Sequence, residues 1–137
     1  MDQNGVAKRA TDITKKFYKV VFKGEEGEYI SACQILLPPS HWIRYRIGIW
    51  TRTHMFLREM NMHIFVFNHR ETARVFAKEL NEGYKKMNKP FKVMKIEVKT
   101  EVKFDEAILE YMYQTAKISI IPNHVQMFKA VKLIKQI

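Results

Sequence analysis

The chain has 137 residues, of which 47% are hydrophobic and 12% aromatic, and this is the size and composition of one domain with a substantial core. Its 24 lysines and arginines against 14 aspartates and glutamates give a net charge of +10, which favours association with polyanions such as nucleic acid or an acidic protein surface. The sequence has no apolar run of membrane-spanning length and no signal-like segment, so we expect no membrane partner. The single cysteine, Cys33, excludes an internal disulfide and agrees with the intracellular location that we expect.

The first third of the chain predicts a leader followed by antiparallel strands. Residues 1–16 are polar and show no sustained period, so we expect a flexible basic leader before a single α+β domain over residues 17–137. Two strand-like runs flank the turn sequence GEEG, which predicts a β-hairpin over residues 18–33. Pro38 and Pro39 then end the strand pattern.

A third strand is predicted over residues 42–47 by the alternation of its side chains. The alternation places Ile43, Tyr45 and Ile47 on the core face and Trp42, Arg44 and Arg46 on the outer face. Gly48 permits a bend after this strand. Residues 53–62 fit either a short helix or a methionine-rich loop, and both alternatives stay open.

The central segment has the clearest pattern of the chain. Residues 64–67 form an unbroken apolar run, IFVF, which predicts a short strand covered on both faces. Asn68 and Glu71 have the spacing of a capping box, so a helix is predicted over residues 69–82, with a left-handed C-cap at Gly83. One face of that helix carries the apolar residues Ala73, Phe76, Ala77 and Leu80.

The last third predicts further strands and a shorter helix. Residues 91–100 alternate, with Met94, Ile96 and Val98 inward and Lys95, Glu97 and Lys99 outward. A helix capped by Asp105 is predicted over residues 105–115, and a strand over residues 117–121. Residues 130–137 fit a strand or a helix, and their β-branched side chains favour the strand. The predicted fold is α+β, with a mixed or antiparallel sheet of about five to six strands, one main helix and one shorter helix.

Lysines are concentrated around the predicted strand over residues 91–100. They are Lys85, Lys86, Lys89, Lys92, Lys95, Lys99 and Lys103, against Glu97 and Glu101. Alternation puts Lys95 and Lys99 on one outer face, where they predict a stripe that follows a phosphate backbone. The alternative is a solvated sheet edge that the lysines protect from aggregation.

The outer face of the predicted third strand is a second candidate binding surface. It combines Trp42 with Arg44 and Arg46, and Trp50 extends it. An aromatic plane beside guanidinium groups can stack on bases or anchor a protein interface. The alternative is that both tryptophans cover the core.

Motifs for catalysis and metal binding are lacking. The histidines, at positions 41, 54, 63, 69 and 124, form no ligand pair of the usual spacing, and Cys33 sits in a strand-like run where a core role is the commoner one. Phosphate-binding glycine loops do not occur, and the glutamates cluster on a turn or among lysines. We therefore predict no cofactor, no metal and no catalytic residue.

The chain resembles a loosely defined group of small uncharacterised bacteriophage and prophage proteins. The segments that carry the resemblance are YKVV at residues 18–21, YRIGIWT at 45–51, IFVFNHRETARVFA at 64–77, KIEVK at 95–99 and VKLIKQI at 131–137. It covers most of the chain from residue 18 onward, except residues 100–115. The resemblance implies a viral accessory protein, located in the host cytoplasm or in the virion, and implies no specific activity.

A fainter, fold-level likeness is to ADP-ribosyltransferases, whose strands surround an NAD cleft. The likeness would put Tyr18 and Lys19 where these enzymes usually have a His or Arg on the first strand. It would put Ser31 or Tyr45 where they usually have a Tyr or Ser on a middle strand. The last strand has lysine where these enzymes often have glutamate. The leading expectation is thus a non-enzymatic module that binds nucleic acid or an acidic host protein; the alternatives are a degenerate NAD-binding or nucleotide-binding protein and a virion structural protein.

Overall fold

A computed structural model of the chain describes residues 15–32, 43–59, 63–85, 90–103 and 124–137. Within these residues the elements follow in the order β1 (Phe17–Lys23), β2 (Tyr29–Ser31), β3 (Arg44–Tyr45), β4 (Trp50–Thr51), α1 (Met55–Glu59), β5 (Ile64–Phe67), α2 (Arg70–Gly83), β6 (Phe91–Val102) and β7 (Val125–Gln136). The α+β class is therefore confirmed. Most of the predicted leader, the helix over residues 105–115 and the strand over residues 117–121 lie outside the described residues.

Four of the strands close into an antiparallel ring. Strand β1 pairs with β6, β6 with β7, and β7 with β5, and β5 returns to β1 where Tyr18 lies opposite Phe67. Strands β2 and β3 extend the sheet from β1, and β4 extends it from β7. The described sheet therefore has seven strands rather than the five to six predicted. Strand β4 has only two residues, which are too few to show a period of their own in the sequence.

Alternation along the strands divides the buried side chains between the inside of the ring and a layer beneath α2. The inside is filled by residues that include Val21, Ile64, Met94, Phe128 and Leu133. The outer layer joins the predicted apolar face of α2, Ala73, Phe76, Ala77 and Leu80, to side chains of β1, β5 and β6. The helix therefore packs on the outside of the ring.

Several local predictions are confirmed. The hairpin predicted over residues 18–33 is present as the antiparallel pair of β1 and β2. Strand β5 is buried along its whole length, as an unbroken apolar run predicts. The ambiguous segment over residues 53–62 contains the helix α1, and the last strand is present as β7, which begins at Val125 rather than near residue 130.

The predicted capping box is wrong. The N-cap of α2 is His69, whose backbone is extended and whose Nδ1 accepts from the Thr72 N–H at 3.3 Å. Asn68 lies one residue before the cap, and its side-chain nitrogen donates to Gln126 Oε1 at 2.8 Å. The side chain that the local pattern assigned to the cap thus contacts strand β7, and the cap is the next residue.

Two further predictions at chain turns are wrong. Gly83 is the last helical residue, and the cap is Tyr84, which has a negative φ and whose N–H donates to the Leu80 carbonyl at 2.9 Å. Ile47 was expected in the core but is 51% exposed. Strand β3 ends at Tyr45, and Gly48, with φ +84°, turns the chain so that its N–H donates to the Leu133 carbonyl at 2.9 Å.

Candidate functional site

Strand pairing brings Trp50 and four lysines onto one outer face of the sheet. Strand β7 runs between β4 and β6, and its Lys132 lies opposite Trp50 on one side and opposite Glu97 on the other. Further along the same pair of long strands the register shifts between Lys95 and Ile96, so that Lys135 lies opposite Lys95. Side chains directly opposite each other on neighbouring strands point to the same face. We call the surface formed by Trp50, Lys95, Lys99, Lys132 and Lys135, together with Glu97, the β face.

The Trp50 ring holds two ammonium groups at the centre of the β face. Lys99 Nζ lies 4.1 Å from the ring centroid and Lys132 Nζ lies 5.0 Å from it. Both distances are within the range of a cation–π interaction, which attracts a cation to the negative face of an aromatic ring. Lys132 also lies 3.0 Å from Glu97 Oε1, so this lysine is held between a ring and a carboxylate.

The β face carries an excess of positive charge that its own residues do not neutralise. Four lysines against Glu97 leave a local charge of 4 − 1 = +3. Within the described residues Lys132 is the only one of the four that has a carboxylate within ion-pair distance. Lys95 and Lys135 face each other directly, and like charges in that position repel. An anion bound between them would relieve that repulsion.

The structure joins some of the residues predicted for binding and separates others. Trp50, Lys95 and Lys99, which came from two different candidate surfaces, meet on the β face. Arg46 is exposed beside the β3–β4 turn, and Lys85 follows the end of α2. Trp42, Lys86 and Lys89 lie outside the described residues.

Arg44 has a structural partner on the first hairpin. Its Nη1 donates to Glu28 Oε2 at 2.8 Å, and the Glu28 side chain is largely buried. The other carboxylate oxygen accepts from the Glu26 N–H at 3.0 Å. Hydrogen bonds from the backbone of Glu28 itself and of Glu26, and the Arg44 guanidinium, hold the pKa of Glu28 below its ordinary value although burial opposes this. We therefore assign Arg44 to the stability of the β2–β3 region.

Sequence reasoning missed a second group of basic residues, on helix α2. Arg70, Arg74 and Lys78 recur every four residues, so they lie on one side of the helix. They line a groove of about 530 Å³ between α2 and the sheet. The four-residue spacing of these three residues is the signal in the sequence that points to them. Lys132 and Lys135 were also missed as site residues, because their three-residue spacing also fits the face of a helix, although the strand was favoured.

Two histidines meet at the N-terminus of α2. The His69 and His124 rings stack with their centroids 4.1 Å apart and their planes 10° apart, and Thr72 Oγ1 lies 2.6 Å from His124 Nδ1. Nearly parallel rings direct their nitrogen lone pairs along parallel planes, so the pair does not converge on a common ion. No group of three His, Cys, Asp or Glu side chains within the described ranges is placed to hold a metal ion.

His63 is the other histidine with a distinctive environment. Its Nδ1 is buried and, within the described part of the chain, has no hydrogen-bond partner. Burial lowers the pKa of His63 below its ordinary value, and the positive charges of Lys129 and Arg58 lower it further. The imidazole is therefore kept neutral in the folded protein at neutral pH.

The residues that a likeness to ADP-ribosyltransferases would place at an NAD cleft do not line an open site. Tyr18, Lys19, Ser31 and Tyr45 are all buried. Lys19 Nζ donates to the Phe65 carbonyl at 2.5 Å. Tyr18 belongs to the layer beneath α2, whereas Tyr45 fills the inside of the ring. The two tyrosines are thus on opposite faces of the sheet.

Comparisons with known proteins leave the site to be interpreted from its own geometry. No family model matches the chain, and no curated protein or solved structure is significantly similar to it. None of the helices in the residues that the structure describes has the length and apolar character needed to cross a membrane.

Proposed function

We propose that this protein is a non-enzymatic accessory module that binds nucleic acid on the β face. The observation that carries the proposal is the cluster in which Trp50 holds Lys99 and Lys132 beside the opposed pair of Lys95 and Lys135. Phosphate groups are the natural ligands of such a cluster, because an ammonium group binds them as a point charge from many directions. The resemblance to phage proteins is consistent with this role, and no catalytic group is required for it.

The chemistry of the β face favours binding without sequence preference. Lysine contacts to phosphates position a nucleic acid but do not distinguish its bases. The Trp50 ring is partly covered by the two ammonium groups, so we expect it to orient lysines rather than to stack on a base. Affinity should therefore depend strongly on salt and weakly on sequence.

A second candidate function, binding of an acidic protein, is favoured by a different observation. Ile47 is 51% exposed and Ile49 is 57% exposed, and both belong to the β3–β4 turn beside the exposed Arg46. Apolar side chains next to arginine are typical of protein-interface anchors. A complex recovered from host lysate that survives nuclease treatment and is lost in an Ile47→Ser/Ile49→Ser variant would favour this function over nucleic-acid binding.

Fluorescence-anisotropy titrations at low salt test the proposed function. The ligands are labelled single-stranded DNA, single-stranded RNA and duplex DNA. The β-face variant is Lys95→Gln/Lys99→Gln/Lys135→Gln, and its matched control is Lys23→Gln/Lys103→Gln/Lys129→Gln, which removes three exposed lysines elsewhere. Both variants lower the net charge from +10 to 10 − 3 = +7.

The two variants are expected to behave differently. The β-face variant should lose most of its affinity, and the control should keep affinity close to that of the wild type. If the wild-type protein bound none of the three ligands at low salt, the proposed function would be wrong. Equal losses in both variants would mean that overall charge, rather than the β face, attracts the ligand.

A further inference from the structure

The groove beside α2 is a second basic surface that the proposed function does not use. Its walls are the helix and the neighbouring ends of β6 and β7, and its volume is about 530 Å³. The charged residues that line it are Arg70, Arg74, Lys78, Lys85 and Lys92, together with a single acid, Glu82. The local charge is therefore 5 − 1 = +4.

The wall formed by α2 is hydrogen-bonded to the sheet. Asn81 ties the helix to the first residue of β6, because its Oδ1 accepts from the Phe91 N–H at 2.6 Å and its Nδ2 donates to the Phe91 carbonyl at 3.2 Å. Arg70, Arg74 and Lys78 lie in a row along a helix that rises about 1.5 Å per residue, so the stripe from position 70 to position 78 is about 12 Å long. A row of cations of this length suits an extended ligand with repeating negative charge.

The chemistry of the groove favours a polar ligand over an apolar one. Of its apolar lining residues, Ala77, Phe91 and Val93 are buried in the core, and Ile137 is 38% exposed, so the charged side chains outnumber the exposed apolar ones. Among the described residues, Arg74 is the only one of the five cations with a carboxylate within 4.0 Å, and that contact with Glu71 is 3.9 Å long and well exposed. Such a pair contributes little, so these cations remain available to a ligand.

The groove leads directly to the β face. Val93 and Gln136 line the groove, whereas Lys95 and Lys135, the opposed pair of the β face, are only two residues and one residue further along the same strands. The rise per residue of a strand, about 3.3 Å, makes this gap shorter than about 7 Å. The two basic surfaces therefore form one path across the molecule.

We infer that the groove binds the phosphate backbone of a single nucleic-acid strand that continues from the β face. The inference rests on the proposed function and specifies its ligand. One strand can enter a groove and place successive phosphates against the α2 stripe. A duplex is a convex rod that could touch only the rim, so single-stranded ligands should gain from the groove and duplexes should not.

Oligonucleotide length separates the two surfaces experimentally. The test compares single-stranded DNA of about 5 and about 20 nucleotides, which bracket the site sizes of about 4 to 16 nucleotides known for small single-strand-binding domains. The α2 variant is Arg70→Gln/Arg74→Gln/Lys78→Gln, at three exposed positions. The Lys23→Gln/Lys103→Gln/Lys129→Gln variant again serves as the control of equal charge. Circular dichroism establishes that the variants are folded.

The expected result is a length-dependent loss. The α2 variant should bind the long strand at least about tenfold more weakly than the control does, because contacts with several phosphates are lost, and should bind duplex DNA as the control does. Its affinity for the short strand should change little, because the β face is intact. The β-face variant should lose affinity for both lengths.

Each other outcome points to a different error. An α2 variant that matches the control at both lengths overturns the inference and leaves the proposed function standing. If the β-face variant keeps its affinity while the α2 variant loses both lengths, the proposed site on the β face is wrong and so is the continuous path. If the α2 variant loses binding of poly-glutamate but not of the long strand, the groove binds acidic protein, which also overturns the inference.

Discussion

The salt dependence of nucleic-acid binding gives the sharpest test of the β face. The change is the replacement of Lys95, Lys99 and Lys135 by glutamine. These three lysines are counted because the fourth, Lys132, is already held by Glu97 at 3.0 Å and its side chain is only 24% exposed. The structure thus predicts three phosphate contacts that the wild-type protein makes on this face and the variant does not.

The size of the effect follows from counterion release. Each phosphate contact contributes about −0.7 to the slope of log K against log salt for a single strand and about −0.9 for a duplex. Three contacts therefore make the wild-type slope steeper by about 2 for a single strand and by about 3 for a duplex. Between about 50 and 200 mM salt, a difference of 2 in slope amounts to a loss of affinity that is about 16-fold greater in the wild type than in the variant.

The assay is anisotropy titration of one labelled single strand at four or more salt concentrations, with the Lys23→Gln/Lys103→Gln/Lys129→Gln variant as control. We expect the control to keep the slope of the wild type. A β-face variant with the wild-type slope would refute the reasoning, because its lysines would then contact no phosphates. If the control lost as much slope as the β-face variant, the salt dependence would belong to the net charge of the whole protein.

Three further predictions concern stability. Leu80→Ala should lower the free energy of unfolding, measured by urea denaturation, by about 2–5 kcal/mol, because the Leu80 side chain is buried between α2 and the sheet. Val75→Ala, on the exposed side of the same helix, should change it by less than about 0.5 kcal/mol. Similar values for the two variants would mean that α2 is not packed on the ring. Folding stabilises the charged form of Glu28, so the contribution of Glu28 to stability is present above pH 4.5 and is lost as the pH falls through the lower pKa of the folded state. In that pH range the melting temperature of Glu28→Gln should fall less than that of the wild type. Equal falls would contradict the role of Glu28 in stability. The pKa of His63 is lowered in the folded protein, so below pH 6.5 the unfolded chain takes up a proton that the folded protein does not, and stability should fall as the pH decreases towards the folded pKa. His63→Gln should flatten this part of the profile of melting temperature against pH. An unchanged profile would show that other groups cause the fall.

The sequence alone determined the elements that depend on local pattern. The apolar face of α2 and the unbroken run of β5 were predicted correctly, because period and length are properties of a single segment. The outward direction of Lys95 and Lys99 was also correct, since alternation along one strand decides it. These features need no knowledge of which segment lies next to them.

Only the tertiary structure decided how the segments meet. Trp50 and Lys99 lie far apart in the sequence and are joined because β7 pairs with both β4 and β6. His69 rather than Asn68 caps α2, and the Asn68 side chain contacts Gln126 on that same strand. The β face and the α2 groove therefore depend on strand pairing and register, which arise from contacts between distant segments and leave no periodic pattern in either segment by itself.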